Sequence, residues 1–80
     1  MTYRIVYAPP ADDAHRKMPD ATRRGFDSGM REVAQDPYAA GSQPLDGARD
    51  RREATVAGVV IRYFVAPTVV TVTVVRMVWV

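Results

Sequence analysis

From Thr2 to Tyr7 the chain alternates, with Tyr3, Ile5 and Tyr7 on one side and Arg4 and Val6 on the other. That period of two predicts a strand, ended by Pro9-Pro10. The stretch "ADDAHRKM" then predicts a short helix with acids early and bases late, as the helix dipole favours, and Pro19 stops it. Asp20 is the N-cap candidate for a second helix running to Gln35. Its apolar stripe of Thr22, Phe26, Met30, Val33 and Ala34 recurs at intervals of three and four, the spacing of one buried face. Gly25 and Gly29 each cost this helix up to about 1 kcal/mol. Close approach of another element at that face would offset the cost.

"DPYAAGSQPLDGARD" is rich in Pro, Gly, Asp and Ser and predicts a loop. Beyond it the period becomes two again. Arg51–Ala57, Val59–Ala66 and Val69–Val80 form three strands, joined by turns at Gly58 and Pro67-Thr68, as an antiparallel meander. On the last strand Val70, Val72 and Val74 face the core, while Thr71 and Thr73 are half-exposed. Met77 and Trp79 extend the threonine face as an apolar patch that a partner would cover. A strand this long is expected inside the sheet rather than at its edge. The expected order is β-α-α-β-β-β, an α+β class. A helical hairpin packs on one face of a four-stranded, mainly antiparallel sheet, in a single domain spanning residues 1–80.

Composition narrows the chemistry. Without cysteine there is neither a disulfide framework nor a thiolate metal site, which fits a reducing, cytoplasmic setting. "MTYRIVYAPP" lacks the apolar run of a signal peptide. The longest apolar stretches, Ala54–Ile61 and Val69–Val75, are each closed by an arginine and fall short of the roughly 20 residues of a membrane span. A soluble protein with no membrane partner is expected. Net charge is only +2, yet ten of the eleven basic residues are arginine. Attraction to nucleic acid would therefore depend on where arginines cluster, each offering a planar fork for phosphate.

Two groups stand out. Arg49, Arg51 and Arg52 interleave with Asp46, Asp50 and Glu53, either as a solvated stretch or as a phosphate or partner contact. Arg62 and Arg76 each interrupt an apolar strand, where a charge costs stability unless it faces solvent or a partner. All five are the RNA-binding candidates, and Met77 and Trp79 the partner-binding ones. His15, the only histidine, sits among Asp12, Asp13, Arg16 and Lys17 and reads as a solvated helix residue. Asp12 and Asp13 compensate the helix N-terminus, and no second ligand cluster accompanies them, so neither metal nor cofactor is expected.

Several phrases together resemble the RelE/ParE superfamily of toxins from bacterial type II toxin–antitoxin systems. They are "YRIVYAPPADDAHRKMP", "VAQDPYAAGSQPLDG" and "GVVIRYFV", with the spacing of Asp36-Pro37, Gly41, Leu45 and Gly47 the most specific. The resemblance implies the fold above and, for the RelE branch, metal-independent cleavage of mRNA on the ribosome by the RNA's own 2′-hydroxyl. Basic groups on the open sheet face would move a proton and stabilise the phosphorane, and an aromatic ring would hold a splayed base. The family's second-strand basic positions fall near Glu53 and Thr55, with Arg51 and Arg52 just upstream. Its Tyr-Arg-hydrophobic-hydrophobic-Tyr pattern becomes Val59-Val60-Ile61-Arg62-Tyr63, and Trp79-Val80 stand where His-Arg or Lys-Arg is common.

The resemblance thus implies a toxin-like protein with the RelE nuclease residues largely missing. One alternative is an active ribosome-dependent mRNA interferase with Arg51, Arg62 and Arg76 as its catalytic groups. The others are a non-enzymatic ParE-like gyrase inhibitor and a non-toxic module that pairs through strands. The partners implied are a cognate antitoxin peptide, the ribosome with its mRNA, and a second copy of the chain.

Overall fold

The computed structural model describes residues 2–39 and 41–79, so Val80, the expected end of the last strand, lies outside the described residues. The elements are β1 (Arg4–Tyr7), α1 (Pro9–Arg16), α2 (Asp20–Gln35), β2 (Ser42–Leu45), β3 (Ala48–Val56), β4 (Val59–Ala66) and β5 (Thr71–Trp79), with a 3₁₀ turn over Pro67–Val69. They build a five-stranded sheet in the order β1-β5-β4-β3-β2, with β1 parallel to β5 and the other pairs antiparallel. The expected last strand is internal, between β1 and β4.

The fifth strand corrects the expected count of four. Ser42–Leu45 lacks apolar alternation because it is an edge strand, and Pro44 is tolerated there. Its hairpin to β3 turns at Asp46-Gly47, both at positive φ (52° and 73°), the pattern of a type I′ turn. Ala57-Gly58 repeats the device between β3 and β4. β3 begins three residues before the expected Arg51 for the same reason.

Both helices lie on one face. α1 starts on Pro9 and Pro10, whose missing N–H groups are harmless in a first turn. α2 is capped by Pro19 without a side-chain bond, and Asp20 pairs with Arg23 instead of serving as the expected N-cap. Phe26 and Met30 of α2 are buried in one core cluster with Val56, Ile61, Tyr63, Val72 and Val74, and Ala34 is buried as well. Gly29 is where the helix comes closest to the sheet. A Cβ there would lie 2.5 Å from Val56 Cγ1, whereas one at Gly25 would meet nothing, so of the two only Gly29 serves packing.

His15 is not the solvated residue expected. Its Nε2–H donates to Asp27 Oδ1 at 2.7 Å, and its ring stacks on Tyr7 at 4.6 Å. A carboxylate only accepts, so the ring proton must sit on Nε2. This contact ties α1 to α2 and β1.

The central irregularity is a β-bulge in β5. Tyr63 pairs with Val74, but Arg62 pairs with Arg76, leaving Val75 as the extra residue. Strict alternation would have put Arg76 on the core side with Val72 and Val74. The bulge reverses the parity, and Met77 is buried in the core at 8 % exposure. Thr71, expected half-exposed, is also buried, and Val70 precedes the strand with φ 49°.

Candidate functional site

The face opposite the helices is uncovered. Alternation on β4 sends Val59, Ile61, Tyr63 and Val65 into the core and turns Val60, Arg62, Phe64 and Ala66 outward. On β3 the outward positions are Arg51, Glu53 and Thr55; on β5, past the bulge, Arg76 and Val78. Cross-strand register assembles these into rows. Arg76, Arg62 and Glu53 form one, and Thr73, Phe64 and Arg51 the next.

The first row carries the electrostatics. Two arginines directly opposite each other destabilise a sheet, an arrangement that wants an anion between or above them. Glu53 relieves half of it, because Arg62 Nε donates to Glu53 Oε2 at 2.9 Å. Arg76 has no ion-pair partner among the described residues. The Arg62–Arg76 pair stands between two shallow cavities. One, of about 340 Å³, is lined by Leu45, Asp46, Arg51, Tyr63, Phe64 and Val75 together with the pair. The other, of about 230 Å³, is floored by Val60 and Val78.

The arginines grouped by sequence separate here. Arg51, Arg62 and Arg76 share the open face and one cavity. Arg52 points the other way, 7 % exposed, with Nε donating to Ser42 Oγ (2.9 Å), Nη1 to the Arg49 carbonyl (3.0 Å) and Nη2 to the Ser42 carbonyl (3.3 Å). These bonds make it a clamp on β2, facing away from the surface that carries Arg51, Arg62 and Arg76. Arg49 lies over the Tyr38 ring at 3.9 Å, next to Asp50, and does not line the cavity.

The expected apolar patch is also redistributed. Met77 is core, because the bulge turned it inward. Trp79 is 42 % exposed at the strand end, and Val78, not Met77, is the exposed neighbour on the open face. Tyr63 is buried, its hydroxyl donating to the Pro37 carbonyl at 2.8 Å. The aromatic ring of the open face is Phe64, 43 % exposed, which the sequence reading passed over. The signal was present: Phe64 follows Arg62 by two, so it shares the arginine's face.

A third concavity, of about 300 Å³, runs beside α2, lined by Gly29, Val33, Ala54 and Val56, with Glu32 and Asp36 also in its walls. Among the described residues no group of three His, Asp or Glu side chains is placed to hold a metal ion. Among the described residues no helix is long and apolar enough to cross a membrane.

Comparison with solved structures agrees with this architecture. The intact RelBE toxin–antitoxin complex of E. coli contains a chain that superposes with a TM-score of 0.80 at 21% identity, covering 98% of this chain and 96% of that one. The archaeal RelE–RelB complex of Pyrococcus horikoshii gives 0.79 at 20% identity, covering 96% and 93%. RelBE2 of Mycobacterium tuberculosis gives 0.79 at 15%, covering 96% of each chain. The chain has the RelE fold. No protein-family model matches the sequence, and no curated protein matches it. Within this RelE fold, Arg51, Arg62, Arg76 and Phe64 converge on the open face, while Arg52, Tyr63 and Met77 belong to the framework behind it.

Proposed function

We propose that this chain is a RelE-type, toxin-like protein of a bacterial toxin–antitoxin system. It grips RNA phosphates with Arg51, Arg62 and Arg76 and has largely lost the nuclease chemistry. The observation that carries the reading is the cross-strand Arg62–Arg76 pair, brought onto the open face by a bulge and joined there by Arg51 at one cavity. Guanidinium forks suit phosphate oxygens and stabilise charge on them. They stay protonated at neutral pH, however, and cannot take a proton from a 2′-hydroxyl. His15, the only histidine, is bonded to Asp27 on the helix side, remote in the fold from the arginine pair. Binding without efficient cleavage follows.

The partner proposed is a cognate antitoxin peptide in the cytoplasm. The fold's relatives include RelE toxins solved with RelB antitoxins, and the groove beside α2 offers apolar walls for a peptide.

The test measures binding of a short single-stranded RNA across a salt series. Each phosphate contact contributes about 0.7 to the log–log salt slope. Arg62→Ala with Arg76→Ala should weaken binding and flatten that slope, while RNA incubated with ribosomes and wild-type protein stays intact. An unchanged affinity and slope in the double variant sinks the phosphate reading. Ribosome-dependent cleavage would establish an interferase instead, and DNA-damage signalling on induced expression would point to gyrase.

A further inference from the structure

We infer that Arg4, at the start of β1, is a second phosphate contact on the open face, so that a bound RNA strand runs along the sheet from the Arg62–Arg76 pair to β1. This contact rests on the phosphate-binding reading above and gives that surface a direction and a length.

On β1, Ile5 and Tyr7 pack against the core, so alternation turns Arg4 and Val6 to the open face, where both are exposed. Register extends the surface across β5. Arg4 pairs with Thr71, which pairs with Ala66, and Val6 pairs with Thr73. Arg4 thus lies four residues along β4 and two strands across from Arg62, a backbone separation of roughly 16 Å by strand rise and spacing. Strand side chains stand roughly perpendicular to the sheet, so heads that far apart meet different phosphates of one strand. Between them Val6, Thr73 and Phe64 carry no charge.

The electrostatics favour an anion at both ends. β1, β4 and β5 contain Arg4, Arg62 and Arg76 and no carboxylate. Arg4 has no ion-pair partner among the described residues, whereas Arg16, Lys17 and Arg23 on the helix side each hold an aspartate. A phosphate at Arg4 therefore displaces nothing, while one at Arg62 displaces Glu53. The backbone beneath Arg4 is also fixed. Its N–H donates to the Val70 carbonyl at 2.9 Å, and the Tyr3 N–H donates to the Ala34 carbonyl at 2.7 Å. Val70 presents that carbonyl from the left-handed region, at φ 49°, a costly conformation for a β-branched residue. The strained turn anchors the strand end from which Arg4 projects.

Fluorescence anisotropy of a labelled single-stranded RNA across a salt series tests this with three variants. Arg4→Ala should weaken binding about fourfold at roughly 0.15 M salt and lower the log–log slope by about 0.7, the counterion release of one phosphate contact. Arg4→Lys should keep the wild-type slope, because an ammonium also holds phosphate as a point charge. Arg31→Ala is the control. It removes the same charge from an exposed position on α2, behind the sheet, and should leave the slope unchanged. A wild-type slope in Arg4→Ala overturns the inference. Equal drops for Arg4→Ala and Arg31→Ala also overturn it, because net charge would then be the cause, and so does an Arg4→Lys slope as low as that of Arg4→Ala. In each case weakened binding by the Arg62→Ala, Arg76→Ala variant leaves the phosphate reading at the pair standing. A wild-type protein that binds no RNA overturns both.

Discussion

Arg52 and Arg62 lie on adjacent strands, one row apart, and point to opposite faces of the sheet. On the helix side the Arg52 guanidinium is buried and bonded to Ser42 and the Arg49 carbonyl. On the open side Arg62 is half-exposed, shares one carboxylate with solvent, and stands opposite another arginine. The residue type is the same; the surroundings decide its work. Behind the sheet a guanidinium bonds the Ser42 hydroxyl and the part-buried carbonyls of Ser42 and Arg49. In front of it the same group is left under-neutralised, as an anion-binding surface must be.

That contrast can be broken most directly by truncating each arginine. Arg52→Ala removes three hydrogen bonds and strands two carbonyls, and should destabilise the fold by about 2–4 kcal/mol in chemical denaturation. Arg62→Ala loses one exposed ion pair and should change stability by less than about 1 kcal/mol. Comparable losses for the two would mean the faces do not differ as described.

A smaller effect separates the neighbouring aromatics. Tyr63→Phe leaves the Pro37 carbonyl without its donor and should cost about 1–2 kcal/mol. Phe64→Leu, on the exposed side, should stay within about 0.5 kcal/mol. The same denaturation measurement reads both.

How much of this was legible in the sequence follows from the same physics. The helices, the meander and the inward Val72 and Val74 were readable, because periodicity and Pro or Gly breaks encode them locally. β2 was not, since an edge strand with Pro44 has no buried face to impose alternation, although Asp46-Gly47 is a hairpin-turn signal. The bulge at Val75 was hidden for a deeper reason. Counting by two from Val72 puts Arg76 inside and Met77 outside, and only the pairing with β4 reverses this. Arg52 could not be told from Arg51 by composition, but once the register of β3 is set, alternation separates them.

The open face is sharpened further by the carboxylate that pairs with Arg62. Glu53 holds Arg62 where a phosphate would sit, so RNA must displace the carboxylate. Glu53→Gln keeps the shape and removes the charge. The pair is solvent-exposed and worth roughly 0.2–1 kcal/mol, so RNA affinity should rise by a factor of about 1.4 to 5, with stability nearly unchanged. A fall in affinity would mean Glu53 positions Arg62 rather than competing for it.

The finest distinction concerns how dry the helix side is. Tyr7 stacks on His15 there, and its hydroxyl is pushed up to about 12 from 10.0, first by burial and then by the Asp27 carboxylate. The folded state thus holds the Tyr7 proton more tightly than the unfolded chain does. The associated stability is fully present below pH 10 and is lost as pH rises through about 12. Following the Tyr7 ring carbons by NMR titration gives the folded value directly. Asp27→Asn removes the charge yet keeps an oxygen to accept from His15 Nε2–H. In that variant the Tyr7 midpoint should move down from about 12 while staying above 10, because burial, the larger cause, persists. A midpoint falling all the way to the ordinary tyrosine value would mean that the Asp27 charge alone raises it, and that this side of the sheet is wetter than its packing implies.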